Sequence, residues 1–300
     1  MITGNTGRWG GADKINLQNL PSRGPNAKAL KKAIVAPEGH VVVEADSSQI
    51  EARVLAWLAG QGDLVTAFQN KEDVYKIMAA SIYNKSVEDI TKEERFVGKT
   101  TILGAGYGMG AVRFQEQLKN MGVEVDLDEC RRIIAVYRNT YPMIKNLWYQ
   151  ANNMLELMLY KRPADVSTKP NVLSVLPEER AVRLPSGLKL GYSDLKLDTE
   201  TKEFSYYTRR GRTRIYGGKV VENLCQAVAR CIIGEQMLRI AKKYKVAFTV
   251  HDSVGCCVPE AEAEDALAYV MECMRWLPDW AEGLPIDCEA SYAKSYGECE

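Results

Sequence analysis

The 300-residue chain predicts an α+β fold, and three patterns carry that expectation. A β-branched run early in the chain, His40–Ala45, reads as a buried strand. Between Asp63 and Tyr160 the apolar period is almost wholly helical. From Ala181 the period drops to two, and apolar strand-like runs return at Val246–His251, Val254–Val258 and Ile286–Tyr292. Strands at both ends of a helical middle imply a sheet completed by non-contiguous parts of the chain.

The elements follow in order. The first forty residues, rich in Gly, Asn and Pro, read as loops with one short helix near Ala27–Ala33. Asp46-Ser47-Ser48 follows the strand as a turn and N-cap for a helix over Gln49–Ala59. Asp73 is placed to cap Val74–Tyr83, and Thr91-Lys92-Glu93-Glu94 has capping-box spacing, opening a helix through about Leu103. Asp126 starts a helix through Arg138, and Pro142 sits in the first turn of another through Leu159. Arg162–Arg180 is a Pro-containing break. Ala181–Leu184, Leu188–Tyr192, Leu195–Asp198 and Phe204–Thr208 are short strands around turns such as Pro185-Ser186-Gly187. Lys219–Tyr244 is a long amphipathic helix, His251-Asp252-Ser253 a tight turn between strands, and Glu260–Trp276 a helix before the last strand.

Hydrophobic residues at 46% and charged residues at 26% exclude a disordered or collagen-like chain. Lys+Arg and Asp+Glu both number 39, and zero net charge by itself argues mildly against a nucleic-acid partner. The average conceals an asymmetry. Arg180–Lys219 carries ten basic against four acidic residues, and Pro259–Glu300 eleven acidic against two basic. The first is a candidate surface for an anionic partner, although plain solvated faces have the better prior for both. Eight cysteines without a C-x-x-C pair, beside only two histidines, argue against zinc and for reduced thiols in a cytoplasmic protein. No run is long enough to cross a bilayer and the N-terminus is no signal peptide, so no membrane partner is expected.

Two constellations could carry chemistry. Asp46 directly follows an apolar strand and Asp252 sits at the tip of an apolar hairpin. If those strands are neighbours, both carboxylates converge at one sheet edge, an arrangement suited to two Mg²⁺ ions roughly 4 Å apart. Asp serves ordinary turns equally well, and spacing alone favours that plainer account. The second is Arg95-x-x-x-Lys99, two cations on one helical face with Leu103 a turn further on and Gly104-Ala105-Gly106-Tyr107-Gly108 behind. Such a face can hold a triphosphate, Arg as a fork and Lys as a point charge, or be no more than a solvated helix side. The glycines follow a helix instead of a strand, which excludes a Rossmann or P-loop reading.

Together these segments resemble a family. Asp46-Ser47-Ser48-Gln49-Ile50-Glu51-Ala52-Arg53 looks like motif A of the family-A DNA polymerases, the DNA polymerase I family. Arg95-x3-Lys99-x7-Tyr107-Gly108 looks like motif B, and Val250-His251-Asp252-Ser253 like motif C. Thr6-Gly7-Arg8 and Asn16-Leu17-Gln18-Asn19-Leu20-Pro21 match the family's lead-in. Tyr216-Gly217-Gly218-Lys219-Val220-Val221-Glu222-Asn223, then Gln226-Ala227-Val228-Ala229-Arg230, is similar to bacteriophage members. Five elements in the right order, over nearly the whole chain, outweigh the plainer accounts of each.

The resemblance implies a right-hand polymerase palm, an antiparallel sheet with helices, joined to helical fingers. It places the N-terminal part of the palm in 1–60, fingers in 61–160, a β-rich insertion beside the palm in 161–218 and the C-terminal part of the palm in 219–300. It implies DNA-directed DNA synthesis with two Mg²⁺, for which Mn²⁺ is a substitute, on primer–template DNA with dNTP substrates. Asp46, Asp252 and the Ser47 carbonyl become metal ligands, with Lys99 joining the two acids as catalytic. Glu51 becomes the steric gate against a ribose 2′-hydroxyl. Arg95 and Lys99 hold the triphosphate, Leu103 lies beside the sugar, and Tyr107 stacks near the templating base. Arg8, Gln18, Gln226 and His251 touch the primer–template. A phage-encoded member would work in the cytoplasm of a bacterial host.

The sequence also departs from the family pattern. Ser47 replaces a Tyr, Leu103 a Phe or Tyr, Ser253 a third acid, and Tyr75 stands where many relatives have a phosphate-contacting His. No metal-binding Asp is lost, so an active core with altered fidelity or sugar selection is expected. The family's thumb and exonuclease domains have no counterpart in these residues, so no proofreading is expected. A separate thumb- or exonuclease-bearing chain is then an expected partner, and an inactive DNA-binding subunit that needs such a chain is the alternative reading. A single-subunit RNA polymerase is disfavoured by the bulky acid Glu51 at the gate.

Overall fold

The structure is a computed structural model that describes residues 6–8, 20, 27–163 and 172–299. Helix α1 (Ala27–Lys32) precedes strand β1 (His40–Ser47). Seven helices follow: α2 (Ile50–Ala59), α3 (Gly62–Gln69), α4 (Val74–Tyr83), α5 (Lys92–Ala105), α6 (Ala111–Asn120), α7 (Leu127–Thr140) and α8 (Pro142–Tyr160). Short strands come next: β2 (Ser174–Leu176), β3 (Ala181–Arg183), β4 (Lys189–Gly191), β5 (Lys196–Leu197), β6 (Phe204–Thr208) and β7 (Gly211–Ile215). The chain ends with α9 (Gly217–Ile240), β8 (Lys245–Val250), β9 (Ser253–Pro259), α10 (Ala263–Arg275) and β10 (Cys288–Ala293).

Two compact units divide the chain. The first takes the described parts of Met1–Ile50, Gln226–Glu282 and Ile286–Glu300. Its sheet has the strand order β10-β1-β9-β8, with every neighbouring pair antiparallel. Early and late segments therefore build one sheet. Period two along β1 sends Val41, Val43 and Ala45 into a core shared with Val254, Cys256 and Val258 of β9. Ile233 and Ile240 of α9 and Ala266, Val270 and Met274 of α10 complete it. The alternate β1 residues Glu44 and Asp46 then share the opposite face.

The second unit takes Glu51–Cys225 and Gly283–Pro285. Its helical part is α2–α8, and two three-stranded antiparallel sheets follow, β2-β3-β4 and β5-β6-β7. Phe68, Met78, Phe114, Tyr137, Ile144 and Met154 are fully buried in it. Arg53 is also buried, and its Nη1 donates to the Pro285 carbonyl at 2.9 Å while the guanidinium covers the Phe68 ring. The capping box is present: Thr91 accepts from the Glu94 N–H and the Glu94 carboxylate accepts from the Thr91 N–H.

Some local expectations are corrected. Asp46 and Ser47 continue β1 instead of forming a turn, because β9 pairs with them on one side and β10 on the other. The break after Arg162 contains β2, and β7 was not foreseen at all. Glu260–Glu262 is a 3₁₀ turn, so the helix behind it starts at Ala263. All eight cysteines are free. Among the described residues no helix is long and apolar enough to cross a membrane.

Candidate active site

In the first unit, β1 and β9 place Asp46 directly across from Ser253, one residue beyond Asp252. The Ser47 N–H donates to the Asp252 carbonyl at 3.2 Å, so backbone fixes both acids at one end of the sheet. On the other side of β1 the partner of Asp46 is Glu289. Glu44 shares the face of Asp46 and accepts a hydrogen bond from the Ser253 hydroxyl. The sequence reading missed Glu44 and Glu289 as neighbours. Glu44 was visible by its i−2 spacing, while Glu289 needed the strand register.

The electrostatics follow from that crowding. Asp46 is exposed on one side and flanked on the others, and its carboxyl is pushed up to about 6 by burial, then by Glu44, Asp252 and Glu289, against a smaller opposing effect of Lys31. Asp252 is also raised, by burial, although Arg8 and His251 pull the other way. Arg8 Nη2 lies 3.8 Å from the Asp252 carboxylate. Arg8, Gln226, Arg230 and His251 line a small cleft beside Asp252. His251 takes a left-handed backbone, φ 52°, at the tip of the β8–β9 turn. Gln18 lies outside the described residues.

Among the described residues no three His, Cys, Asp or Glu side chains are gathered closely enough to hold a metal by themselves. Two carboxylates at the end of a sheet are nevertheless hard oxygen donors, and like-charge crowding leaves Asp46 short of positive charge. Mg²⁺ is commonly bound by one or two carboxylates, with waters and substrate phosphates filling the octahedron. The residues fit such an ion.

The second unit carries the cationic face. Arg95, Lys99 and Leu103 lie at i, i+4 and i+8 on the outward side of α5, and Leu103 is 43% exposed. They face outward because the inward side is pressed onto α4. A Cβ on Gly98 would meet the Tyr75 carbonyl oxygen at 2.2 Å, so only glycine permits that approach. Arg95 Nε donates to Asp73 at 2.6 Å, and the guanidinium and the Lys99 ammonium sit over the Tyr75 ring at 5.3 and 5.7 Å. Asp73 also caps α4, accepting from the Tyr75 and Lys76 N–H groups. Burial pushes its carboxyl up, but the Arg95 hydrogen bond and those two N–H bonds outweigh it and hold it low. The sequence reading saw only the cap.

At the end of α5 the Tyr107 hydroxyl donates to Glu51 at 3.3 Å. Burial raises the Tyr107 hydroxyl well above its ordinary value, aided by Cys225, Glu51 and Glu222. The phenol therefore stays protonated and available as a donor.

The two-carboxylate sheet end belongs to the first unit and the cation-bearing helix to the second. The family model of DNA polymerase family A matches residues 1–163, and the chain belongs to that family. It is 30% identical to the DNA polymerase of Bacillus phage SP02 over 97% of this chain and 50% of that protein. It is 26% identical to the thermostable DNA polymerase I of Thermus filiformis over 98% of this chain and 31% of that protein. The polymerase domain of Pol1 from M. smegmatis, solved with DNA primer-template and dNTP, superposes with a TM-score of 0.72. That likeness, at 21% identity, covers 99% of this chain and 47% of that one, and it shows the fold to be a polymerase-domain fold. The chain spans about half the length of the phage relative it matches.

Proposed function

We propose that the chain is the catalytic core of a template-directed DNA polymerase, which joins the α-phosphate of a dNTP to a primer 3′-hydroxyl and releases pyrophosphate. The observation that supports this most is the β1–β9 register, which brings Asp46 and Asp252 to one end of a sheet whose backbone holds them. In this reading 1–60 and 219–300 are palm, 61–160 fingers and 161–218 a β-rich insertion.

Asp46, Asp252 and the Ser47 carbonyl would hold two Mg²⁺ ions, or Mn²⁺ in their place. When bound, such ions lower the pKa of an attacking hydroxyl and stabilise charge on phosphate oxygens. Arg95 and Lys99 bind the triphosphate, Arg95 exchanging Asp73 for phosphate and Lys99 acting as an exposed point charge. Glu51, fixed by Tyr107, narrows the space for a ribose 2′-hydroxyl, while Leu103 lies along the sugar. Tyr107 stacks near the templating base and moves as the fingers close. Arg8, Gln226 and His251 hold the primer–template in the minor groove, whose acceptors are nearly independent of sequence, and the resemblance adds Gln18.

Primer extension with purified protein, Mg²⁺ and either dNTPs or rNTPs tests this. Extension with dNTPs, lost in Asp46→Ala and in Asp252→Ala, is the expected result. Extension that survives either substitution overturns the metal assignment, and a preference for rNTPs overturns the role of Glu51. Extension that starts only when a thumb-bearing polymerase chain is added supports the dependent-subunit alternative.

A further inference from the structure

Glu44 of β1 lies outside the polymerase-like motifs, yet the sheet register carries it to the edge of the site. Successive residues of a strand face opposite ways, so Glu44 shares the face of Asp46. Across the β1–β9 ladder Asp46 pairs with Ser253 and Glu44 with Gly255, which makes Glu44 and Ser253 diagonal neighbours. A long side chain spans that diagonal. The buried Ser253 hydroxyl donates to the Glu44 carboxylate. All of these residues belong to the first unit.

An aromatic wall sets the direction of that side chain. A Cβ on Gly255 would meet the Phe248 ring at 2.3 Å, so the ring occupies the space directly across from Glu44. Phe248 packs in turn edge-on against Tyr296, with ring centres 5.0 Å apart. The straight-across direction is thereby closed. What remains is the diagonal toward Ser253, the residue that follows Asp252 and stands opposite Asp46. Glu44 is half-buried there, and a carboxylate set among apolar rings costs free energy unless its charge and hydrogen bonds are used. Glu289 faces the same way from β10, but it is exposed, and no hydrogen bond or ion pair holds it among the described residues.

Ser253 stands where the family carries a third acid, and Glu44 brings a carboxylate to its hydroxyl from the neighbouring strand. Among the described residues no three acids gather closely enough to hold one ion, so Glu44 acts from beyond the ligand set. We propose that Glu44 is a positioning residue for the divalent ion: held by Ser253, its charge strengthens the grip of Asp46 and Asp252 without ligating the ion itself. The proposal rests on the polymerase reading for the identity of that ion.

The test is Mn²⁺ binding to the DNA-free protein, read from the paramagnetic resonance of the free ion, with primer extension over a Mg²⁺ titration in parallel. One unit charge acting on a divalent ion through a water-like medium predicts about fivefold weaker Mn²⁺ binding in Glu44→Gln, which keeps an acceptor for Ser253. The Mg²⁺ concentration for half-maximal extension should rise by a similar factor, while the rate at saturating Mg²⁺ stays within about twofold. Glu44→Ser alone should weaken Mn²⁺ binding as much. Adding Ser253→Glu, which returns the acid from the facing strand, should restore it to within about twofold of the wild type. Glu289→Gln should shift it less than about twofold, as should Glu272→Gln on α10, which packs on the other face of the sheet. Unchanged Mn²⁺ binding in Glu44→Gln overturns the proposal, as does an equal loss in Glu289→Gln. So does a folded double variant that binds no better than Glu44→Ser, or a wild type without a Mn²⁺ site that Asp46→Ala removes. Circular dichroism of each variant separates a lost charge from a lost fold. If the wild type shows the Glu44-dependent Mn²⁺ site but extends no primer, the polymerase reading fails and the role of Glu44 at the ion stands.

Discussion

The acidic sheet end and the cationic face of α5 are built on opposite physical plans. Asp46 and Asp252 are placed by backbone, through strand pairing on both sides of β1. Burial pushes both carboxyls up; neighbouring acids add to it at Asp46, whereas Arg8 and His251 oppose it at Asp252. Arg95 is placed by side chains: Asp73 neutralises it, Tyr75 lies beneath it, and Gly98 allows the close packing that turns it outward. Asp46 is short of positive charge, whereas Arg95 on the cationic face already has a carboxylate partner. A ligand gains most where the protein leaves a charge unpaired.

The largest expected effect breaks the acidic side. Asp46→Ala or Asp252→Ala should lower the extension rate about a thousandfold or more, since charge stabilisation worth several kcal/mol is lost. Extension assays under single-turnover conditions read it. On the cationic side, Lys99→Ala and Arg95→Ala should each weaken dNTP use about tenfold to a hundredfold, a charged hydrogen bond being worth about 1.5–3 kcal/mol. Steady-state kinetics would place most of that in KM if the contact is made equally before and during the reaction.

Gly98→Ala tests the packing between those levels. The added Cβ collides with backbone, not a movable side chain, so a loss of about 1–3 kcal/mol in stability is expected from urea unfolding. An unchanged midpoint would show that α5 is not held by this contact.

The smallest effect concerns Asp73 and pH. Its folded carboxyl lies below the ordinary value of 3.8, so its contribution is fully present above that value. The contribution is lost as pH falls through the folded value, because the unfolded chain then binds the proton more readily. Asp73→Asn keeps a capping side chain but removes the charge pair. Its melting temperature should therefore fall less steeply than that of the wild type between pH 5 and about pH 2. Parallel curves would sink the Asp73–Arg95 pairing as a source of stability.

Much of this architecture was legible because local signals and tertiary fate agreed. The capping box at Thr91, the cap at Asp73, the helix-starting Asp126 and the apolar β1 run all sit where the pattern put them. β7 was illegible for a physical reason: Arg212, Thr213 and Arg214 are all exposed, so only Ile215 reports a buried face. β2 is three residues long, too short for a period to register. Asp46-Ser47 misled because turn propensity is a local preference, and strand pairing with two distant segments overrides it.

Sequence by itself determined the α+β class, the order of the polymerase-like motifs and the identity of the two carboxylates and two cations. Those properties reside in residue type and spacing, which covalent order preserves. Only the tertiary structure decided that Glu289 stands across from Asp46, that Asp73 serves both as cap and as counter-ion, and that the Ser253 hydroxyl donates to Glu44 on the neighbouring strand. Each of these depends on which distant segments come within a few ångströms of one another, and that is set by packing, not by the local pattern.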